Sequence, residues 1–255
     1  MDEKLKRECR FFLKDSIRKM VDFSQTDQSK GLEPPPLEKP YSKGASKIEL
    51  AKPGSWKGIE EANLISAIEN RKSRRQYIKE ALTLDEVSFL LWATQGIRGK
   101  PHAGSAFRTV PSAGCRHAFE TYLAVFQVDG LKQGLYRYLP LTHELLWESS
   151  PPQLPEKVIR ATFGQAFAGR GAVTFFWAAI PYRMEWRYGP AAHKVIALDA
   201  GHVCQNLYLA CEVIGTGTCA IAAYNQDAVD TLLGVDGEDE FVIYLAPVGK
   251  TVETP

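Results

Sequence analysis

The chain has 255 residues, 45% hydrophobic and 24% charged, an ordinary globular balance that allows one sizeable core with a small appendage. Its 31 lysines and arginines stand against 30 aspartates and glutamates, so the net charge of +1 implies no general attraction for nucleic acid or an anionic bilayer, and anion binding has to be local. Cys9, Cys115, Cys204, Cys211 and Cys219 form no C-x-x-C pair, the N-terminus is charged where a leader needs an apolar core, and no long uncharged apolar run occurs; these features predict a reduced, cytoplasmic protein without a membrane span.

Residues 1–57 read as a short helical piece followed by an extended arm. Phe11, Phe12, Ile17 and Met20 are spaced to line one helix face, and from Asp22 the composition turns to Ser, Gln, Lys and Pro, including Pro34-Pro35-Pro36, Pro40 and Pro53. Such an arm is either a flexible leader or a strap across the domain or a neighbouring subunit. Residues 58–255 are expected to form the main domain.

Residues 61–70 carry Leu64, Ile65 and Ile68 at helical spacing and run into Arg71-Lys72-Ser73-Arg74-Arg75-Gln76-Tyr77. Cations and a hydroxyl packed this closely make a candidate phosphate cradle, with a solvated surface run as the alternative. Thr83-Leu84-Asp85-Glu86 has the capping-box pattern and predicts a helix with Val87, Leu90, Leu91 and Thr94 inward, stopping at Gly96. Residues 97–118 lose periodicity and collect glycine and proline, a long loop of the kind that tends to be functional. A strand is expected over 121–128, and a hairpin joins 135–138 to 144–147. A helix follows over 156–163. The apolar run 173–180 reads as a central strand buried on both faces.

Residues 181–190, polar and aromatic together, suit a pocket rim. Residues 191–214 predict the longest helix, apolar around most of its circumference, closed by Gly215. A strand over 218–224, a short helix capped by Asn225 with Ala228, Val229, Leu232 and Leu233 inward, and a last strand over 241–247 complete the chain. The interleaving of helices and strands, with a hairpin among them, gives an α+β or mixed α/β class.

Three groups could carry chemistry. In Arg108 to Glu120, small residues around Pro111 let backbone approach a flat ligand, and a tight surface turn is the plainer reading; Cys115 and His117 give no sign of an activated thiol pair. Asp199 and His202 share a helix stripe with Asn206, but no third ligand is evident, so a hydrogen bond pinning the helix is expected and no metal. Gly215-Thr216-Gly217 follows a helix, which excludes a Rossmann fingerprint.

The order of these pieces, Arg-x-Ser-x-Arg before a capped helix, Arg-Thr-x-Pro-Ser-Ala-Gly, a hairpin, Arg-Tyr-Gly, and Leu-Asp-Ala-Gly-His-x-x-Gln-Asn-Leu-Tyr-Leu before Gly-x-Gly, resembles the nitroreductase-like flavoproteins, most closely their SagB-type dehydrogenase branch with its azoline oxidases. The resemblance spans roughly residues 40–250. It implies an α+β fold with a mixed, mainly antiparallel central sheet flanked by helices, a long buried helix at a homodimer interface, and FMN as cofactor. By matching position, Arg71, Lys72, Ser73 and Arg75 would hold the FMN phosphate and ribityl chain, Pro111, Ser112, Ala113 and Gly114 would line the ring, Ile221 and Ala222 would present backbone to its N5 edge, and Lys250 would help bind the phosphate. The implied activity is hydride transfer between NAD(P)H or an organic substrate and an acceptor. The azoline oxidases' Lys-Tyr pair corresponds to Arg187-Tyr188, and arginine is a poor base near neutral pH. Azoline dehydrogenation on a modified peptide and a non-catalytic flavin-binding or assembly role are the alternatives.

Overall fold

The computed structural model describes residues 2–102 and 104–252. Strands β1 (Lys47–Glu49), β2 (Phe119–Val125), β3 (Gly134–Leu139), β4 (Glu144–Ser149), β5 (Val173–Ala179), β6 (Thr216–Thr218) and β7 (Phe241–Lys250) form one sheet in the order β1-β4-β3-β2-β5-β7-β6. All its ladders are antiparallel, and among the described residues parallel pairing is limited to the isolated bridges Ser73–Thr218 and Leu82–Val128. The expected hairpin is β3–β4.

The run Val173–Ala179 occupies the middle of the sheet and is buried throughout, as its unbroken apolar character requires. Its side chains alternate between two cores. Phe175 and Trp177 pack with Leu90, Leu91, Val203 and Leu207, whereas Phe176 and Ala178 pack with Leu154, Val158, Val229 and Leu233. Full burial of each large apolar side chain stabilises the fold by about 1.5–3 kcal/mol relative to exposure.

The helices are α1 (Glu3–Leu13), α2 (Leu64–Asn70), α3 (Leu84–Gln95), α4 (Leu154–Ala161), α5 (Tyr182–Tyr188), α6 (Ala192–Val213) and α7 (Gln226–Leu233). The capping box on α3 is complete: Glu86 N–H donates to Thr83 Oγ1 at 3.1 Å, and Thr83 N–H donates to Glu86 Oε2 at 2.9 Å. Asn225 caps α7, and Gly234 ends it in the left-handed region at φ 70°.

Several expectations change. Phe11, Phe12 and Met20 are exposed, so α1 has no inward face. Of α2 only Ala67 is buried, leaving Leu64, Ile65 and Ile68 exposed. Residues 182–188 form a helix, with Pro181 supplying helical φ ahead of it and Arg183, Met184 and Trp186 buried. On α6 the buried residues follow a stripe from Ile196 through Val203 to Ala210, and Leu198, Gly201, His202 and Gln205 face outward. The strand predicted over 218–224 ends at Thr218, beyond which only Ile221 bridges to Leu245. Ala228 faces solvent.

The arm lies as a strap across its own domain. Gln28 N–H donates to Trp186 O at 2.8 Å, and Trp186 Nε1 donates to Leu32 O at 3.1 Å. Arg108 Nη2 reaches Leu37 O at 3.0 Å, and Arg137 Nη1 reaches Lys39 O at 2.8 Å.

Candidate active site

The run Arg71 to Arg75 leaves the helical conformation after α2 and touches the sheet through the bridge of Ser73 to Thr218. The segment is held at the sheet edge by Arg74 N–H, which donates to Thr218 O at 2.9 Å. Arg74 turns to α6, where its guanidinium forms a two-point ion pair with Glu212. The Arg71 guanidinium lies 5.2 Å from the Tyr208 ring centroid and that of Arg75 lies 5.8 Å from the Phe167 ring. Among the described residues neither forms an ion pair, nor does Lys72. Lys72 to Gln76 line a recess with Thr251 and Val252. Guanidinium forks and a short hydroxyl around an open recess are a donor set that fits a phosphate dianion.

Tyr208 is the residue that sequence reasoning missed. Its hydroxyl stands 3.0 Å from Ser73 Oγ and accepts the Ala220 N–H at 2.9 Å, joining the cradle, the long helix and the chain after β6. The signal lay in the tyrosine of Leu-Tyr-Leu, one turn before Glu212 and so on the same helix face. Ile221 N–H is engaged by Leu245 O at 2.8 Å, and the residue is buried, so its amide cannot face a ligand. The exposed Ala222 makes no backbone hydrogen bond through its N–H among the described residues. Lys250 is drawn away from the cradle by Glu86, the α3 capping carboxylate, with which it ion-pairs.

Pro111 to Gly114 form an exposed to half-buried turn in which Gly114 adopts φ 60°. A Cβ on Gly114 would lie 2.6 Å from Tyr188 Oη and 3.0 Å from Arg187 Nε, so the loop and the end of α5 meet in direct contact. Asp199 of α6 is buried beside the Ser112 hydroxyl and the Ala113 N–H with its Oδ2 unpartnered among the described residues, and burial raises its pKa above the ordinary carboxylate value. It thus supports the loop, while His202 Nδ1 stands 3.8 Å away, beyond hydrogen-bond reach, in place of the expected Asp–His bond. Asn206 Nδ2 donates to Ala93 O at 2.8 Å.

Cys115 and His117 make no hydrogen bond to each other among the described residues. His117 is buried near Arg108, and desolvation with that like charge pushes its pKa down to about 3, so the ring is neutral near pH 7. Its backbone N–H donates to Ser112 Oγ at 3.0 Å, which makes it part of the loop's support.

Among the described residues no group of three or more His, Cys, Asp or Glu is placed to hold a metal ion, and no helix is long and apolar enough to cross a membrane.

The nitroreductase family's model matches residues 68–250. A Methanocaldococcus jannaschii protein described as a nitroreductase is 30% identical over 195 residues, 76% of this chain and 94% of its own. The crystal structure of a protein from Ralstonia eutropha JMP134, also described as a nitroreductase, superposes with a TM-score of 0.67 at 25% identity, covering 88% of this chain and 96% of the other. A chain of the E. coli microcin synthetase McbBCD complex, solved with truncated pro-MccB17 bound, has a TM-score of 0.60 at 20% identity over 77% of each chain and shares the fold. With the matched span running from the cationic run through the loop and the long helix to the last strand, the chain belongs to the nitroreductase family, a family of flavin-type oxidoreductases.

Proposed function

We propose that the chain is an FMN-dependent oxidoreductase of the SagB-type branch, working as a homodimer and passing reducing equivalents between NAD(P)H or an organic substrate and an acceptor. The observation that carries this reading is the partition of the cationic run: Arg74 has its carboxylate partner, whereas Arg71 and Arg75 flank the Ser73 hydroxyl without one. Arg71, Ser73 and Arg75 would bind the phosphate, with Lys72 at the rim; Pro111 to Gly114 would line the ring, and the Ala222 N–H would face its polar edge. When bound, FMN supplies hydride acceptance and donation at N5. Asp199 and His117 keep the loop in place, and Tyr208 orients Ser73.

Residues 58–255 form the flavin-binding unit in this reading and residues 1–57 its appended arm. Homodimerisation is supported by the exposed Leu64, Ile65 and Ile68 on α2, beside an apolar groove lined by Leu64, Phe89, Trp92, Leu209 and Val213. The test is direct. The purified protein, incubated with FMN and desalted, retains a flavin spectrum, and anaerobic NADH or NADPH bleaches it. A colourless protein refutes the reading; a yellow one that neither nucleotide bleaches has a different electron donor.

Azoline dehydrogenation on a modified peptide is the narrower reading, favoured by the seat of Arg187 and Tyr188 against Gly114. Tyr188 rather than the guanidinium would exchange a proton or hydrogen bond with substrate. Loss of two hydrogens from an azoline peptide, read by mass spectrometry, tests it.

A further inference from the structure

Arg187 is a cation without a carboxylate partner among the described residues, at a place where α5 meets the Pro-Ser-Ala-Gly loop. It is half-buried, its guanidinium lies 5.5 Å from the Tyr188 ring centroid, and among the described residues it forms neither an ion pair nor a side-chain hydrogen bond. Two carboxylates of this region are engaged elsewhere. Glu185, on the same helix, accepts from His193 Nε2 at 2.7 Å, or shares a proton with it. Glu120 is taken by Arg183 and by Arg137, and also accepts Lys39 N–H at 2.8 Å. Asp199 lies beside Ser112 and Ala113 with its buried Oδ2 unpartnered among the described residues, and it forms no ion pair with Arg187.

Further positive charge surrounds it. Arg116 is 4% exposed, donates from Nε to Arg183 O at 2.9 Å, and stacks 4.6 Å over the Trp186 ring. Arg183 and Arg108 are each 2% exposed. Burial first, then the like charges of Arg187 and Arg183, lower the pKa of Arg116, which places these cations in one electrostatic neighbourhood. A guanidinium in such surroundings, without a carboxylate of its own, is matched in charge and shape by a planar carboxylate.

We infer that Arg187 is a specificity-determining residue that selects substrates bearing a carboxylate, with Tyr188 offering a hydrogen bond to the same molecule. The inference rests on the flavin-site reading above. It names the substrate class as an organic acid, or a peptide that presents a carboxylate, at the loop formed by residues 111–114.

The test uses the FMN-loaded full chain without an electron donor, and reads dissociation constants for 4-nitrobenzoate and its uncharged counterpart 4-nitrobenzamide from the perturbation of flavin absorbance. The benzoate is expected to bind about tenfold or more tighter, the scale of one charge-assisted pair. Arg187→Gln brings the ratio to about one by weakening the benzoate alone, whereas Arg187→Lys keeps most of the preference. A wild-type ratio near one, absence of binding by both probes, or a ratio unchanged in Arg187→Gln overturns the inference. Loss of FMN from Arg187→Gln, with wild type retaining it, also overturns it by assigning the guanidinium to the cofactor. Failure of wild type to retain FMN defeats the parent reading and this one together.

Discussion

Arg74 and its neighbours Arg71 and Arg75 are three like residues within five positions, and the proposed function gives them separable roles. Arg74 and Glu212 have side chains 19% and 10% exposed and meet at two points. Truncating one partner of a fully buried pair costs about 3–5 kcal/mol, because the other charge is left without its counterion. With water reaching part of both groups, Arg74→Ala should cost about 2–3 kcal/mol. At about 2–4 °C per kcal/mol for a chain of this size, the melting temperature falls by about 5–10 °C. Among the described residues Arg71 and Arg75 form no ion pair and lie over aromatic rings, worth about 0.5–1 kcal/mol each at exposed sites, so the double variant Arg71→Ala/Arg75→Ala should fold nearly as well as wild type. Its loss is in binding: two charge-assisted contacts of about 1.5–3 kcal/mol each predict at least a hundredfold weaker FMN. Urea unfolding of the apo-protein followed by circular dichroism, beside FMN titration by fluorescence quenching, separates the two effects. Adding Glu212→Ala to Arg74→Ala should recover part of the lost stability. Unchanged stability in Arg74→Ala, or undiminished FMN affinity in the double variant, would refute this division of labour.

Further consequences can be measured. His117 is held neutral in the fold with a pKa pushed down to about 3, against an ordinary value of 6.5, so the unfolded chain binds the extra proton first and stability declines as pH falls below 6.5, by up to about 1.4 kcal/mol per pH unit, until about pH 3. In His117→Asn, whose side chain tolerates the φ of 48°, that part of the pH dependence of urea unfolding disappears. Gly114→Ala combines a left-handed backbone with a Cβ against Tyr188 and should lower unfolding free energy by about 1–2 kcal/mol, with an altered near-ultraviolet circular dichroism spectrum. Removing residues 1–20 should leave the melting temperature close to wild type, because α1 buries no side chain; removal through residue 40 strips acceptors from Arg108 and Arg137 and costs about 1–3 kcal/mol for each group left unpaired.

What the sequence discloses about this fold is what neighbouring residues decide. Thr83 and Glu86 meet within one turn, Asn225 and Gly234 bracket one helix, and Val173–Ala179 has a composition that only a strand buried on both faces accommodates. Helix α5 was illegible because seven residues barely show a helical period and its buried face includes an arginine. The alternation Arg-x-Ser-x-Arg was readable in the cradle, but Glu212, which removes Arg74 from it, lies 138 positions away. Lys250 shows the same limit. Its distance in sequence from Glu86 concealed that one carboxylate serves both a helix cap and an ion pair.

The arm illustrates how a segment with little core of its own can become structural. Arg108, Arg137 and Arg183 are each 2% exposed, and a buried guanidinium needs acceptors for several N–H groups at once. Strands cannot supply them, since their carbonyls are already paired in the sheet. Between residues 32 and 46 the chain forms neither helix nor strand, and a proline-rich extended chain leaves its own carbonyls unpaired. Leu37, Lys39 and Pro40 accordingly offer their oxygens to Arg108 and Arg137, while Glu120 bridges Arg137 to Arg183. Arg183 lies on the helix whose end carries Arg187 and Tyr188, and the adjoining Trp186 is fastened at both its carbonyl and its indole N–H to Gln28 and Leu32. The composition that makes the arm look dispensable is therefore what lets it supply acceptors to Arg108 and Arg137, and through Glu120 and Trp186 steady the Arg187–Tyr188 end of α5 against the loop at Gly114.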